Sequence, residues 1–251
     1  MSESNPPEDR AFLEEVSKTY TRASRQDEAI RSLIVRTFAP YLDKTARGLQ
    51  LGYAEGVDTA MLAPLVRELD VVEACAPFLE EGQEHNLPNV RFHDALFEEF
   101  ALGPDDAPYH YVFAVYVLEH VADVARVLAM ARSVLRPDGL LFVVVPNARA
   151  LSRQLARHMG LLEDLYGLTE RDRQHGHRRV YDRVALNRDI EEAGFRIRAQ
   201  GGIMLKILAD FQLDRLLGEG VLEGAHLDGL YRLGMEYPDL CGSLFAICDP
   251  A

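Results

Sequence analysis

The sequence predicts a doubly wound α/β fold with a mostly parallel sheet of seven strands, on three observations. Short apolar runs alternate with amphipathic stretches from residue 48 to residue 145, the pattern of successive strand–helix–strand units. The runs are unbroken, as in Leu140-Leu141-Phe142-Val143-Val144-Val145, which suits strands covered by helices on both faces. The first run, Leu49-Gln50-Leu51, leads directly into a small-residue turn, Gly52-Tyr53-Ala54-Glu55-Gly56.

Taken in order, residues 1–10 are polar, contain Pro6-Pro7 and read as unstructured. Residues 11–42 are helical in pattern, with Phe12, Val16 and Tyr20 on one stripe and Ile30, Leu33, Ile34 and Phe38 on another. Strands are expected at 48–51, 70–73, 90–92, 111–115 and 140–145, with helices at 58–68, 77–84 and 123–135 between them. After Pro146, residues 148–173 read as one amphipathic helical stretch. A polar turn follows at 173–179, then a helix over 184–193 that stops at Gly194, a helix-ending residue. The last two strands are expected at 195–200 and 242–248, separated by a helical insertion at 207–236.

The 251 residues are 48% hydrophobic, enough for one large domain with a real core. Their net charge of −13 repels phosphate backbones. The expected partner is therefore a small-molecule substrate, with no nucleic acid; a homodimer stays open. No apolar run approaches the ~20 residues of a membrane span, and the N-terminus lacks the pattern of a signal peptide. Cys75, Cys241 and Cys248 show neither C-x-x-C nor metal-ligand spacing. The expectation is a cytoplasmic protein with reduced thiols, no membrane association and no metal.

The turn after the first strand separates two kinds of nucleotide site. A dinucleotide site has G-x-G-x-x-G. Here Gly56 comes one position too early, and Val57 stands where the last glycine belongs. Small residues in G-x-A-x-G let the backbone pass close to a bound cofactor. Glu73 follows the second strand, 21 positions after Gly52, where a carboxylate can accept bonds from ribose hydroxyls. Asp94-Ala95-Leu96 follows the third strand. Tyr109 to Val121 reads YHYVFAVYVLEHV, and Leu135-Arg136-Pro137-Asp138-Gly139-Leu140 reads as a turn before the fifth strand.

With these motifs at these distances, residues 45–248 resemble the class I S-adenosylmethionine (SAM) methyltransferases, whose sheet is Rossmann-like and whose last strand enters antiparallel. The resemblance implies SAM as cofactor, leaving as S-adenosylhomocysteine (SAH). It implies a cofactor site of Gln50, Gly52, Tyr53, Ala54, Gly56, Glu73, Ala74, Asp94, Ala95, Leu96, Val115, Tyr116 and His120. His120 is expected to start the next helix. Gln50 departs from the family's usual acid, and His110 stands where aspartate is usual. Residues 1–42 would form a helical lid on a domain of 43–251, with Tyr20 shielding the sulfonium, and the insertions at 148–176 and 207–236 would complete the cover. His175-Gly176-His177-Arg178-Arg179-Val180-Tyr181 falls near the substrate mouth. A neutral imidazole suits a general base near pH 7, so His177 or His175 is the catalytic candidate. Two histidines at i, i+2 suit a metal, but no carboxylate or cysteine lies beside them in sequence. Asn147, Arg178, Arg179, Tyr181 and Lys206 are the substrate-binding candidates, the cations as a clamp for a carboxylate or phosphate.

The expected reaction is O-methylation of an anionic or sugar-like metabolite in a biosynthetic pathway. The alternatives are N-methylation, or a SAM-binding protein that is non-methylating or regulatory. A nicotinamide oxidoreductase is disfavoured by the turn spacing.

Overall fold

The computed structural model describes residues 6–19 and 24–251. Seven strands form one sheet: β1 Arg47–Leu51, β2 Glu68–Val72, β3 Val90–His93, β4 Tyr109–Val115, β5 Leu135–Pro146, β6 Phe195–Leu205 and β7 Cys241–Pro250. Their order is β3-β2-β1-β4-β5-β7-β6. β7 alone runs antiparallel to its two neighbours, and the remaining pairs are parallel.

The apolar runs bury both faces because alternate residues serve opposite layers. In β5, Leu141, Val143 and Val145 pack on one side with Val127, Leu128 and Ala131 of α5 (Val124–Val134) and Leu186 and Ile190 of α8 (Arg183–Glu192). Leu140, Phe142 and Val144 pack on the other with Ile30, Leu33, Ile34 and Phe38 of α2 (Arg25–Phe38). Phe142 lies 4.7 Å from Phe38 and 5.0 Å from Phe113 between ring centres.

Several boundaries differ from expectation for physical reasons. The helix α1 (Pro6–Thr19) begins within the segment read as unstructured; proline is well suited to the first helical turn, where its missing N–H costs nothing. The turn expected before β5 is absorbed into the strand. Residues 136–139 bulge out between two registers, Tyr109 opposite Leu135 and Tyr111 opposite Leu140. A side chain at Gly139 would sit 3.0 Å from the His110 carbonyl, so only glycine fits that bulge. His110, at the position where an aspartate was anticipated, accepts the Arg47 backbone N–H at 3.2 Å.

The expected helix over 148–173 is two helices, α6 (Leu151–His158) and α7 (Glu170–Gln174). Gly160 at φ 74° breaks it. The insertion at 207–236 also divides, into α9 (Asp210–Gly218) and α10 (Gly224–Glu236). It is a face layer more than a lid. Leu213, Leu217, Leu227 and Leu230 join the core on the α2 side, and Tyr231 meets Thr37 at 3.0 Å. Among the described residues no helix is long and apolar enough to cross a membrane.

A buried ionic knot fixes the edge of the sheet where β1, β2 and β4 begin. Asp70 is 3% exposed and pairs with Arg47 at 3.0 Å and Arg91 at 2.9 Å, while Tyr109 donates to it at 2.5 Å. Burial alone would raise its pKa. The approach of His93 and the bonds from Arg91 and Tyr109 outweigh burial and hold the carboxyl well below the usual range. A group depressed in the folded state stabilises fully above its unfolded pKa, near 3.9, and loses that contribution as pH falls below it. Asp70→Asn should therefore cost about 2–3 kcal/mol at pH 7, since Arg47 keeps Glu68 as a partner. The variant's stability should also fall less steeply than the wild type's between pH 5 and 3. Denaturant unfolding across that range measures both.

Candidate active site

The site lies at the carboxyl ends of β1, β2 and β4. After β1 the chain must turn sharply, and Gly52, Ala54 and Gly56 all take positive φ, 79°, 49° and 74°. At Gly56 the constraint is double, because a Cβ there would fall 2.3 Å from the Tyr53 hydroxyl. Ala54 bears its left-handed conformation at a cost that surrounding bonds must offset. The main such bonds come from Glu73, just past β2 and 6% exposed. Its carboxylate accepts the Tyr53 N–H at 2.8 Å and the Cys75 N–H at 2.7 Å. Burial pushes the Glu73 pKa up, partly opposed by these backbone bonds.

A cavity opens beside this turn. Gly52, Tyr53, Ala54, Glu73, Ala74 and Leu96 line it, as do Val115, Tyr116 and His120. Phe12, Leu13 and Val16 of α1 form another side, and Phe78 and Phe97 complete the apolar wall. Tyr116 sits at the end of β4 with φ 55° and holds Ser243 Oγ at 2.7 Å. Arg31 stacks 5.3 Å over the Tyr116 ring and pairs with buried Asp58.

Four expected cofactor residues stand apart from this lining, Gly56 of the turn among them. Gln50 is buried and braces the turn, donating to the Gly52 carbonyl at 2.8 Å and accepting from Thr59 at 3.0 Å. Asp94 is exposed and pairs with Arg10 of α1 at 2.7 Å; Ala95 packs against the core cluster. Tyr20 lies outside the described residues.

The loop 116–123 after β4 carries the second half of the site. It is clamped from the 175–181 segment. Arg179 donates to the carbonyls of Leu118 at 2.6 Å, Val121 at 2.5 Å and Ala122 at 3.1 Å. Arg178 donates its N–H to the Glu119 carbonyl at 2.7 Å and its side chain to the His120 carbonyl at 2.9 Å. It also stacks on Phe12 at 4.5 Å. Arg179 is a loop clamp, in contrast to the expected substrate clamp, because a guanidinium holding three carbonyls has little left for an anion; Arg178 braces the same loop and also lines the first cavity. His120 lies within the loop and not at a helix start, since α5 begins at Val124 with Asp123 as its cap.

A second cavity adjoins the first along Arg31, Glu55, Tyr116, His120 and His175. His177, Glu119, Asn147, Asp172, Lys206 and Asp210 line it. His177 Nδ1 lies 3.5 Å from Asp172, whose carboxyl also pairs with Arg153 at 3.1 Å. Burial would raise the Asp172 pKa, but His177, Thr169 and Arg153 hold it well below the ordinary range. The His120 and His177 rings meet at 4.7 Å and 87°. Gly176 between the histidines packs on α1, with its Cβ position 2.9 Å from Val16. Glu119 is 1% exposed, and neither oxygen has a hydrogen-bond partner. Burial pushes its pKa up to about 7, with the His177 charge opposing. Burial, then the His177 charge, drives the His120 pKa down to about 3, so this imidazole is neutral.

Of the other substrate candidates, Asn147 is buried and donates to the Asp239 and Cys241 carbonyls at 2.9 Å each. Tyr181 is buried, with its hydroxyl on Asp189 at 3.1 Å, and lines neither cavity. Lys206 pairs with Asp210. Sequence reasoning missed Arg31, Asp58 and Asp172. Nothing in the pattern of an amphipathic helix distinguishes Arg31 from a solvated arginine.

The comparisons agree with this geometry. A family model described as a methyltransferase domain matches residues 22–200. A comparison with curated protein sequences finds no significant match. Among solved structures, a SAM-dependent methyltransferase of Leishmania major superposes with a TM-score of 0.63 at 15% identity, covering 96% of this chain and 82% of that one. An N-methyltransferase of Bradyrhizobium japonicum in complex with SAH gives 0.57 at 12% identity, covering 91% and 89%. A SAM-dependent methyltransferase of Mesorhizobium loti gives 0.58 at 13% identity, covering 86% and 95%. With the family model spanning most of the chain, a seven-stranded sheet of the matching order and a cavity at the turn after β1, the protein belongs to the class I SAM-dependent methyltransferases.

Proposed function

We propose that the enzyme methylates a hydroxyl of a small, polar, sugar-like metabolite held in the second cavity. The observation that carries this reading is the junction of the two cavities at Tyr116, His120 and His175, with the His177–Asp172 pair on the far side.

The first cavity fits SAM by its donor set. Glu73 uses one lone pair of each oxygen on backbone N–H groups and retains others for ribose hydroxyls. Gly52 leaves its Cβ position open except for Phe97 at 3.7 Å, so the cofactor can lie against bare backbone. Leu96, Phe97 and Phe78 offer an apolar bed for the adenine. Arg31 and Asp58 supply opposite charges for the methionine carboxylate and ammonium. When bound, SAM supplies a methyl group already activated by its sulfonium. The protein's part is therefore orientation, exclusion of water and control of one proton. Asp172 holds His177 Nδ1 and leaves Nε2 to accept the acceptor's proton. Tyr116 separates the two chambers and fixes the approach.

Between the two acceptor classes anticipated, the lining favours the neutral, hydroxylated one. Arg153, Arg171 and Lys206 are each matched by an aspartate, Asp172 or Asp210. An anion would have to displace those partners. An amine acceptor is the second reading, supported by the buried carboxylate of Glu119, which has no counter-charge bonded to it.

Calorimetric titration with SAH should give micromolar binding to the wild type. Gly52→Asp should abolish it, because a side chain and a charge would enter the backbone approach; retained affinity would remove the cofactor assignment. Glu73→Ala should weaken SAH binding by about 1–3 kcal/mol, and an unchanged affinity would mean that the ribose is held elsewhere. His177→Ala should keep SAH affinity while methyl transfer to a hydroxylated acceptor falls by about 10²–10⁴-fold. Turnover equal to wild type would exclude His177 from handling the proton.

A further inference from the structure

Glu119, His120 and His177 are far apart in chemistry as the sequence presents them, one pair on the loop after β4 and the third beyond α7. The fold brings them together: one ligand atom from each lies within 4.8 Å of the others. The fold thus sets beside His177 a carboxylate that the sequence around 175–177 does not contain, Glu119 of the clamped loop. Glu119 is 1% exposed, lines the second cavity and has no hydrogen-bond partner on either oxygen. A buried carboxylate without a donor or counter-ion is costly, so it calls for a positive partner.

One of the two imidazoles, that of His177, is held in the manner of a metal ligand. A metal-bound histidine donates its other ring N–H to a carboxylate or a carbonyl, which fixes the tautomer and the ring plane. His177 presents Nδ1 to Asp172 at 3.5 Å. His120 lies beside His177, with 4.7 Å between the two ring centres. His177 therefore has Nδ1 held by the protein and Nε2 left for a ligand. The rings stand at 87° to each other, edge to face, and a ligand atom of each lies within 4.8 Å of one on Glu119. A tetrahedral ion with bonds of about 2.1 Å holds its donors about 3.4 Å apart, and small rotations of the three side chains close that gap.

We propose that Glu119, His120 and His177 form a binding site for a divalent first-row transition metal ion, with its open positions facing the acceptor cavity. Two neutral imidazoles and one carboxylate suit zinc, iron or cobalt, and not magnesium or calcium, which demand oxygen ligands. This inference rests on reading the second cavity as the acceptor chamber, and it deepens that reading. A hydroxyl coordinated there would be acidified by the ion and give its proton to solvent water; with the ion bound His177 serves as a ligand, and the proton transfer to its Nε2 described above belongs to the metal-free enzyme.

The test uses the full chain, stripped with chelator and titrated with Co²⁺ under visible absorption and with Zn²⁺ by calorimetry. The expected result is one ion per chain with a d–d spectrum of low symmetry. Glu119→Gln and His177→Ala should each weaken binding by at least about 100-fold, and Asp172→Asn by about 10-fold. His226→Ala, exposed on α10, should change nothing. Absence of one-to-one binding overturns the proposal, as does equal affinity in wild type, Glu119→Gln and His177→Ala. Should Glu119→Gln fail to fold, X-ray absorption of the zinc-loaded wild type decides: two imidazole ligands are expected, and one or none overturns the site. SAH titration of the same samples keeps the two readings apart. SAH binding without metal removes only the metal site. Metal binding that obeys the variants, without SAH binding, removes the cofactor reading and leaves the metal site standing.

Discussion

The crevice between the carboxyl ends of β1 and β4 exists because the chain leaves these neighbours in opposite directions. β1 leads toward β2 and β3, and β4 toward β5 and β7. The chain passes between the halves once, from β3 to β4 through residues 94–108, and Leu96 and Phe97 of that passage line the first cavity, so a site opens where the strand order reverses. All the residues of the two cavities are hung from that opening. The first-strand turn and Glu73 form one wall, and Tyr116 with the loop 116–123 forms the other. The core makes this rigid, since β1, β4 and β5 are buried on both faces, and α2, which covers one face with Ile30, Leu33, Ile34 and Phe38, also sends Arg31 into both cavities.

Holding an irregular loop at the mouth of such a crevice poses a problem of polar accounting. Its carbonyls leave the sheet and must find donors near a cavity where water is limited. Arg179 and Arg178 solve it, taking four carbonyls of the loop between their side chains. The sequence shows two arginines in an acidic chain, and a ligand clamp is the natural reading. The structure gives them the more common task of satisfying backbone. The same clamp fixes Glu119 and His120 in place, so the arginines act on the site through the loop.

The fold was legible because its signals are local and redundant. Unbroken apolar runs, the spacing of the turn glycines and Gly194 each depend on a few adjacent residues. The turn and the carboxylate beside the first cavity were legible for the same reason: Gly52, Gly56 and Glu73 sit at fixed distances from strand ends. What escaped was non-local. Gln50 was read from its place in a motif, but its amide is turned into the bend by Thr59, nine positions on. The meeting of Glu119 with His177 depends on how a loop and a distant segment are clamped together, and no periodicity encodes that. Gly160 was in view, but a single glycine in an amphipathic stretch carries a weak signal until its φ is known.

Gly176 ties two parts of the molecule together mechanically. It stands between His175 and His177, and its bare backbone is packed on Val16 and Phe12 of α1, which also wall the cofactor cavity. The histidine segment and the covering helix are therefore one mechanical unit. A displacement of α1 would be felt at His175 and His177, which line the second cavity, as well as in the first.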